Sequence, residues 1–172
     1  MQKKIAKSKN GSILVAIDLT KHSNEALEFA NDLAIKLHKD LIILHAVHDP
    51  EESPGFYAPK GKKKNLAPME KVAKEMLEKY LSKVQQQSPE LELSRGVQTI
   101  VVYGMPESKI LEVAEQKKVD MIVVGSHGRK GISKLLLGSR ADHIVTHSLV
   151  PVVVVKTKKA KKLIIKKGEK DG

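Results

Sequence analysis

The chain has 172 residues, 41% of them hydrophobic and 30% charged, with a formal net charge of +11 and no cysteine. The absence of cysteine excludes disulfides, thiolate zinc sites and cysteine nucleophiles. The longest apolar runs, ILVAI (13–17) and LVPVVVV (149–155), are too short to span a bilayer. The charge is unevenly placed: Lys3, Lys4, Lys7 and Lys9 crowd the start, eight lysines follow residue 155, and residues 10–155 hold 19 basic against 18 acidic side chains. The basic balance therefore describes appendages, and a nearly neutral body lies between them.

Read in chain order, residues 1–11 are a basic N-terminal extension. It lacks the apolar core and small-residue cleavage site of a secretory signal, so a cytoplasmic location is expected. SILVAI (12–17) reads as a buried strand ended by Asp18. Residues 23–38 carry apolar positions at Ala26, Leu27, Ala30, Leu33, Ala34 and Leu37, the spacing of an amphipathic helix. DLIILHAV (40–47) is a second strand. Residues 48–65 form a long Pro/Gly/charge-rich loop that could act as a lid, with Phe56 and Tyr57 as its apolar clasp and Lys60, Lys62, Lys63 and Lys64 as its charge, or could be a simple excursion. Residues 66–87 give a second helix with Met69, Val72, Ala73, Met76, Leu77, Tyr80 and Val84 on one face. VQTIVVY (97–103) is a third strand, and Pro106 sits near the first turn of a helix at 106–117. VDMIVV (119–124) is a fourth strand, 139–147 a last core helix and VPVVVV (150–155) a fifth strand. Residues 156–172 form a Lys-rich tail with no aromatic side chain for base stacking.

Strands and helices alternate throughout, and the strands are rich in β-branched apolar residues. This predicts an α/β fold: a Rossmann-like five-stranded parallel sheet with helices on both faces. With strand order 3-2-1-4-5, the tips of strands 1 and 4 would flank the switch point where such sheets bind ligands.

The fourth strand runs directly into GSHGRKGISKLLLGS (125–139), which is Gly125, two residues, Gly128, nine residues, Gly138 and Ser139. Glycines allow an anion to approach main-chain N–H groups closely, and a helix beginning at Ser139 favours negative charge at its N-terminus. The pattern reads as a phosphate cradle for a nucleotide. Its plain alternative is a glycine-rich turn that only reverses the chain. It is neither the G-x-x-x-x-G-K-[ST] loop nor the G-x-G-x-x-G fingerprint. Asp18, facing the same crevice, would sit at the base or ribose end, away from the phosphates, or would simply close an Asx turn.

These segments resemble the universal stress protein family over residues 12–155. ILVAIDLTKHSNEAL, LIILHAV, VVYGMPESKILEVAEQKKVDMIVVGSHG and GSHGRKGISKLLLGSRADHIVTHSLVPVVVV each match a family segment, and every position of the family's ATP-binding motif is filled. The resemblance implies the ATP-binding branch. Asp18 and Ala46 would border adenine and ribose, and Gly125, Gly128, Gly138 and Ser139 would hold the phosphates. Ser126, His127 and Arg129 would add contacts from the same loop. ATP would be the cofactor, with Mg or Mn as a companion ion, and the family's habit of dimerising through the last strand would place a homodimer contact at Pro151 to Val155.

No catalytic residue and no metal ligand is assigned. His127 has no carboxylate partner in sequence. His45 lies in an apolar strand and reads as a satisfied core residue. His143 and His147 have metal-compatible spacing, but Ile144 stands where H-E-x-x-H needs glutamate. Ser139 lacks the G-x-S-x-G elbow of a nucleophile. Arg129, Lys130 and Arg140 flank the cradle and could neutralise phosphate or be solvated. Three functions follow as expectations: a regulatory dimer in stress response with ATP as bound ligand, a slow Mg-dependent ATP hydrolase, and an interaction module whose basic tails dock an acidic protein, nucleic acid or membrane. The downstream partner is not written in the sequence.

Overall fold

The structure is a computed structural model describing residues 11–47, 66–89, 91–93, 96–126 and 137–156. Its elements run β1 (Ser12–Ile17), a single 3-10 turn (Lys21–Ser23), α1 (Asn24–Lys36), β2 (Asp40–Val47), α2 (Leu66–Gln87), β3 (Val97–Tyr103), α3 (Pro106–Lys117), β4 (Met121–Gly125), α4 (Ser139–His147) and β5 (Val152–Val155). The sheet order is β3-β2-β1-β4-β5 and every neighbouring pair is parallel, as the sequence predicts.

The strands sort their side chains by the two-residue period of extended chain. Ile13, Val15 and Ile17 of β1, Leu41 and Ile43 of β2 and Val123 of β4 pack against Ala26, Leu27, Ala30 and Ala34 of α1 and Leu77, Tyr80 and Val84 of α2. The intervening Leu14, Ile42, Leu44, Ile122 and Val124 face Ile110, Val113 and Ala114 of α3 and Ala141 and Ile144 of α4. With both faces covered, no central strand can carry polar side chains through its middle, which is why the sequence reads as unbroken apolar runs.

The element ends differ slightly from the sequence reading, each for a local reason. The first helix stops at Lys36, ahead of residue 38, because His38 turns left-handed (φ 52°) and Lys39 N–H closes back onto the Ala34 carbonyl at 2.9 Å. Lys118 (φ 51°) ends α3 the same way, with Val119 N–H on the Ala114 carbonyl at 3.1 Å. That cap occupies Val119, so β4 starts at Met121 and extends to Gly125. The fifth strand starts at Val152, two residues late, because Ser148 Oγ binds both the N–H (3.2 Å) and the carbonyl (2.7 Å) of Val150.

At the amino ends of the strands the chain is clamped. Asp40 N–H donates to the Gly11 carbonyl at 3.1 Å and Asp120 N–H to the Ser12 carbonyl at 2.8 Å, while Lys39 Nζ pairs with Asp120 Oδ2 at 2.7 Å. Gly11 has φ +76°, and a Cβ there would collide with the Asp120 carboxylate, so both backbone and space call for glycine.

The core predicts a contrast within one helix. Leu27→Ala, at a fully buried position, is expected to cost about 2–5 kcal/mol of unfolding free energy. Ile35→Ala, on the exposed side of the same helix, should cost under about 1 kcal/mol. Urea denaturation of both variants checks it.

Candidate functional site

The site is built at the carboxyl ends of β2, β1 and β4, which lie side by side. Register pairs Ile17 with His45 and Ala16 with Val124. One step further along these strands come Ala46 and Asp18, and two steps beyond Val124 comes Ser126. Ala46, Asp18 and Ser126 therefore form a row across adjacent strand tips, roughly 5 Å between neighbouring backbones. The chain departs in opposite directions from β1 and β4, so this row sits at the switch point of the sheet.

Asp18 heads a tight polar turn. Its Oδ1 accepts from Thr20 N–H (3.1 Å), Thr20 Oγ1 (2.7 Å) and Ser23 Oγ (2.7 Å), while Asp18 N–H donates to Ser23 Oγ at 3.0 Å. His22 N–H in turn donates to Thr20 Oγ1 at 3.3 Å, capping the 3-10 turn. The Asx turn that the sequence offered as a plain reading is thus present, and it is made with Oδ1. Leu19, inside the turn, is left-handed (φ 59°), a conformation that costs a non-glycine residue about 1 kcal/mol.

Two side chains that sequence reasoning assigned only to the core brace this turn. Tyr80 of α2 donates its hydroxyl proton to Asn24 Oδ1 at 2.7 Å and lies 3.4 Å from the Thr20 carbonyl. Burial, followed by the nearby charges of Asp18 and Glu28, raises its pKa well above the ordinary phenol value. His45 is buried and its Nδ1 lies 2.9 Å from the Ile17 carbonyl, the last one before Asp18. A carbonyl only accepts, so Nδ1 carries the proton. Within an apolar heptad the only available signal for Tyr80 was its hydroxyl, and that named no partner.

The second half of the site is the start of α4. Ser126 N–H donates to the Val155 carbonyl at 2.8 Å, and Gly138 N–H donates to the Ser126 carbonyl at 3.0 Å. These two bonds draw Gly125–Ser126 and Gly138–Ser139 together, the two ends of the glycine motif. Gly138 is the N-cap residue at φ −62°, ψ 145°, and no side chain caps the helix there. The first-turn N–H groups of α4 thus lack the usual Ser, Asp or Asn cap and present a positive pole. Gly125 and Gly138 do not have positive φ, so a left-handed backbone is not what calls for glycine there. Beside the same helix start, Arg140 Nε lies 3.8 Å from Glu107 Oε2 in the first turn of α3.

His127, Gly128 and Arg129 lie outside the described residues, as do Lys130, the 48–65 loop with Phe56 and Tyr57, the N-terminal extension up to residue 10 and the tail from residue 157. His143 and His147 stack with ring centroids 4.1 Å apart, and His147 Nδ1 lies 2.9 Å from the His143 carbonyl. Among the described residues no group of three or more His, Asp or Glu side chains is placed to hold a metal ion, and no helix is long and apolar enough to cross a membrane.

Comparison with known proteins agrees with this fold. The model of the universal stress protein family matches residues 9–156. A universal stress protein of Methanocaldococcus jannaschii is 29% identical over 153 residues, covering 85% of this chain and 94% of the relative. A universal stress protein solved in complex with cAMP superposes with a TM-score of 0.57 at 24% identity, covering 88% of this chain and all of that one. Another, from Archaeoglobus fulgidus and in complex with dAMP, superposes at 0.54 and 19%, covering 85% and 98%.

The brace on the Asp18 turn predicts a pH dependence. Above a pH of about 10 the unfolded chain releases the Tyr80 proton while the folded protein retains it, so native stability falls as pH rises from there. Tyr80→Phe should cost about 1 kcal/mol at neutral pH through the lost Asn24 bond. It should also flatten the alkaline decline relative to the parent, as read from urea midpoints at pH 8 to 11, about the phenol range.

Proposed function

The chain belongs to the universal stress protein family, and from that premise we propose that it is a cytoplasmic adenine-nucleotide-binding regulatory protein, with ATP as ligand. The observation that carries this reading is the Gly138–Ser126 hydrogen bond. It brings both ends of the glycine motif to the side-chain-uncapped start of α4, beside the Asp18 turn. Phosphate oxygens are the chemistry that such a helix start accepts. Two relatives of the same fold are described with cAMP and dAMP, which share adenine and one phosphate.

In this reading the first-turn N–H groups at Ser139, together with Gly125, Ser126 and Gly138, receive the phosphates, and His127, Gly128 and Arg129 complete the loop. Asp18 and Ala46, one strand spacing apart, border ribose and adenine. Asp18 accepts hydrogen bonds from hydroxyl or N–H groups at that end, where its charge lies away from the phosphates. Mg or Mn would enter with the phosphates as their counter-ion. When bound, ATP contributes chiefly binding free energy, which stabilises the native protein by mass action and so couples nucleotide level to the folded population.

The same reading includes a homodimer through β5. Ser126 N–H bonds to the Val155 carbonyl and Ile122 N–H to that of Pro151, so residues 151, 153 and 155 turn their backbone groups to β4. Val152 and Val154 turn theirs to the open edge, where a second copy of the strand could pair. All four valines are half-exposed in the single chain.

Two experiments test these assignments. Protein purified without added nucleotide is denatured and its released small molecules identified by chromatography and mass spectrometry. Adenine nucleotide is expected from the parent and none from Gly138→Val, whose extended backbone accepts a side chain and which places that side chain at the start of α4. A constant ATP-to-ADP ratio over hours with Mg²⁺ supports a ligand role, and a falling one supports the hydrolase. Separately, Val154→Pro removes an outward N–H without touching the β4 ladder, and should shift the sedimentation coefficient from dimer to monomer. A coefficient unchanged from that of the parent would place the dimer contact elsewhere.

A further inference from the structure

Glu107 and Arg140 come from different helices and meet beside the cradle. Glu107 lies in the first turn of α3 and Arg140 is the second residue of α4. Their separation, 3.8 Å between Oε2 and Nε, is that of an ion pair without a hydrogen bond. Glu107 Oε2 is buried and has no hydrogen-bond partner among the described residues. The two side chains are unequally placed: Glu107 is 18% exposed and Arg140 51%. The carboxylate is therefore fixed in the protein, and it is already favoured there by the positive pole of its own helix. The guanidinium is the member that can move. It is carried on the same turn as Ser139, at the helix start that Gly138 leaves without a side-chain cap.

We propose that Arg140 is the counter-ion of the outer phosphates of a bound nucleotide and that Glu107 holds it beside the cradle until they arrive. The pair would then set a preference for di- and triphosphates over monophosphates. This rests on the nucleotide reading above and adds to it the residue that discriminates by phosphate number. The chemistry favours the exchange. A guanidinium offers a planar fork of donors matched to phosphate oxygens, and charge-assisted bonds to phosphate are stronger than an ion pair held beyond hydrogen-bond distance. A monophosphate, seated on the helix N–H groups alone, would give Arg140 no outer oxygen to reach.

Titration calorimetry of the full chain with AMP, ADP and ATP tests this. The parent should bind ATP more tightly than AMP. Arg140→Ala should weaken ATP by about tenfold and leave AMP within about twofold. Glu107→Gln, nearly the same shape without the charge, should tighten ATP by about threefold, and that gain should vanish when Arg140→Ala is present in the same chain. Arg140→Lys, with charge but no fork, should fall between Arg140→Ala and the parent. Equal losses for AMP and ATP in Arg140→Ala would reduce Arg140 to a support for α4 and overturn the proposal, as would no loss at all. Should Arg140→Ala fail to fold, Glu107→Gln decides alone, and an unchanged ATP-to-AMP affinity ratio overturns it. A parent chain that binds none of the three overturns the nucleotide reading together with this one. A parent that binds them while its variants keep the parental ratio overturns this one only.

Discussion

Everything at the candidate site depends on the parallel pairing of β1 with β4. These strands are far apart in the chain and are joined through Ile13 to Ala16 against Met121 to Val124. Only this pairing sets the Asp18 turn beside Ser126. The valine and isoleucine side chains that enforce it are buried, so the alignment of the two tips is fixed by the core and owes nothing to the polar groups beyond it. A one-residue slip would exchange the two faces of β4 and send Val123 and Val124 to the wrong helices.

On that frame the two halves of the site differ in character. The Asp18 half is fastened by five hydrogen bonds around one carboxylate, two hydroxyls and a 3-10 turn, with Tyr80 and His45 bracing it from α2 and β2. Together they hold Leu19 in a conformation that leucine does not choose for itself. The α4 half is held mainly by main-chain bonds and leaves its helix start without a side-chain cap. One half is closed on itself by side-chain bonds, and in the other the N-cap residue Gly138 brings no side chain to the helix start.

Much of this was legible in the sequence. Five apolar runs gave five strands, their alternation with helices gave a parallel sheet, and the Gly125 and Gly138–Ser139 ends of the glycine spacing come together at the exit of the fourth strand. What was not legible was long-range or contrary to propensity. Nothing in His38 or Lys118 announces a left-handed helix end, because both take a conformation more often given to glycine or asparagine. The Tyr80 hydroxyl and its Asn24 acceptor are 56 residues apart, and the meeting of Glu107 with Arg140 needs the packing of α3 against α4 to exist first. Strand ends shifted by one or two residues where Ser148 and the α3 cap took backbone groups that the apolar pattern had assigned to the ladder.

The Lys39–Asp120 clamp and the close packing around Gly11 lie at the amino ends of the strands, opposite the candidate site. The molecule is thus knotted tight at one pole and left chemically available at the other. The sheet beneath the crevice holds its register through buried apolar side chains rather than through the residues at its rim. A lineage carrying this architecture is free to try new ligands at one end, one substitution at a time, without risking the other.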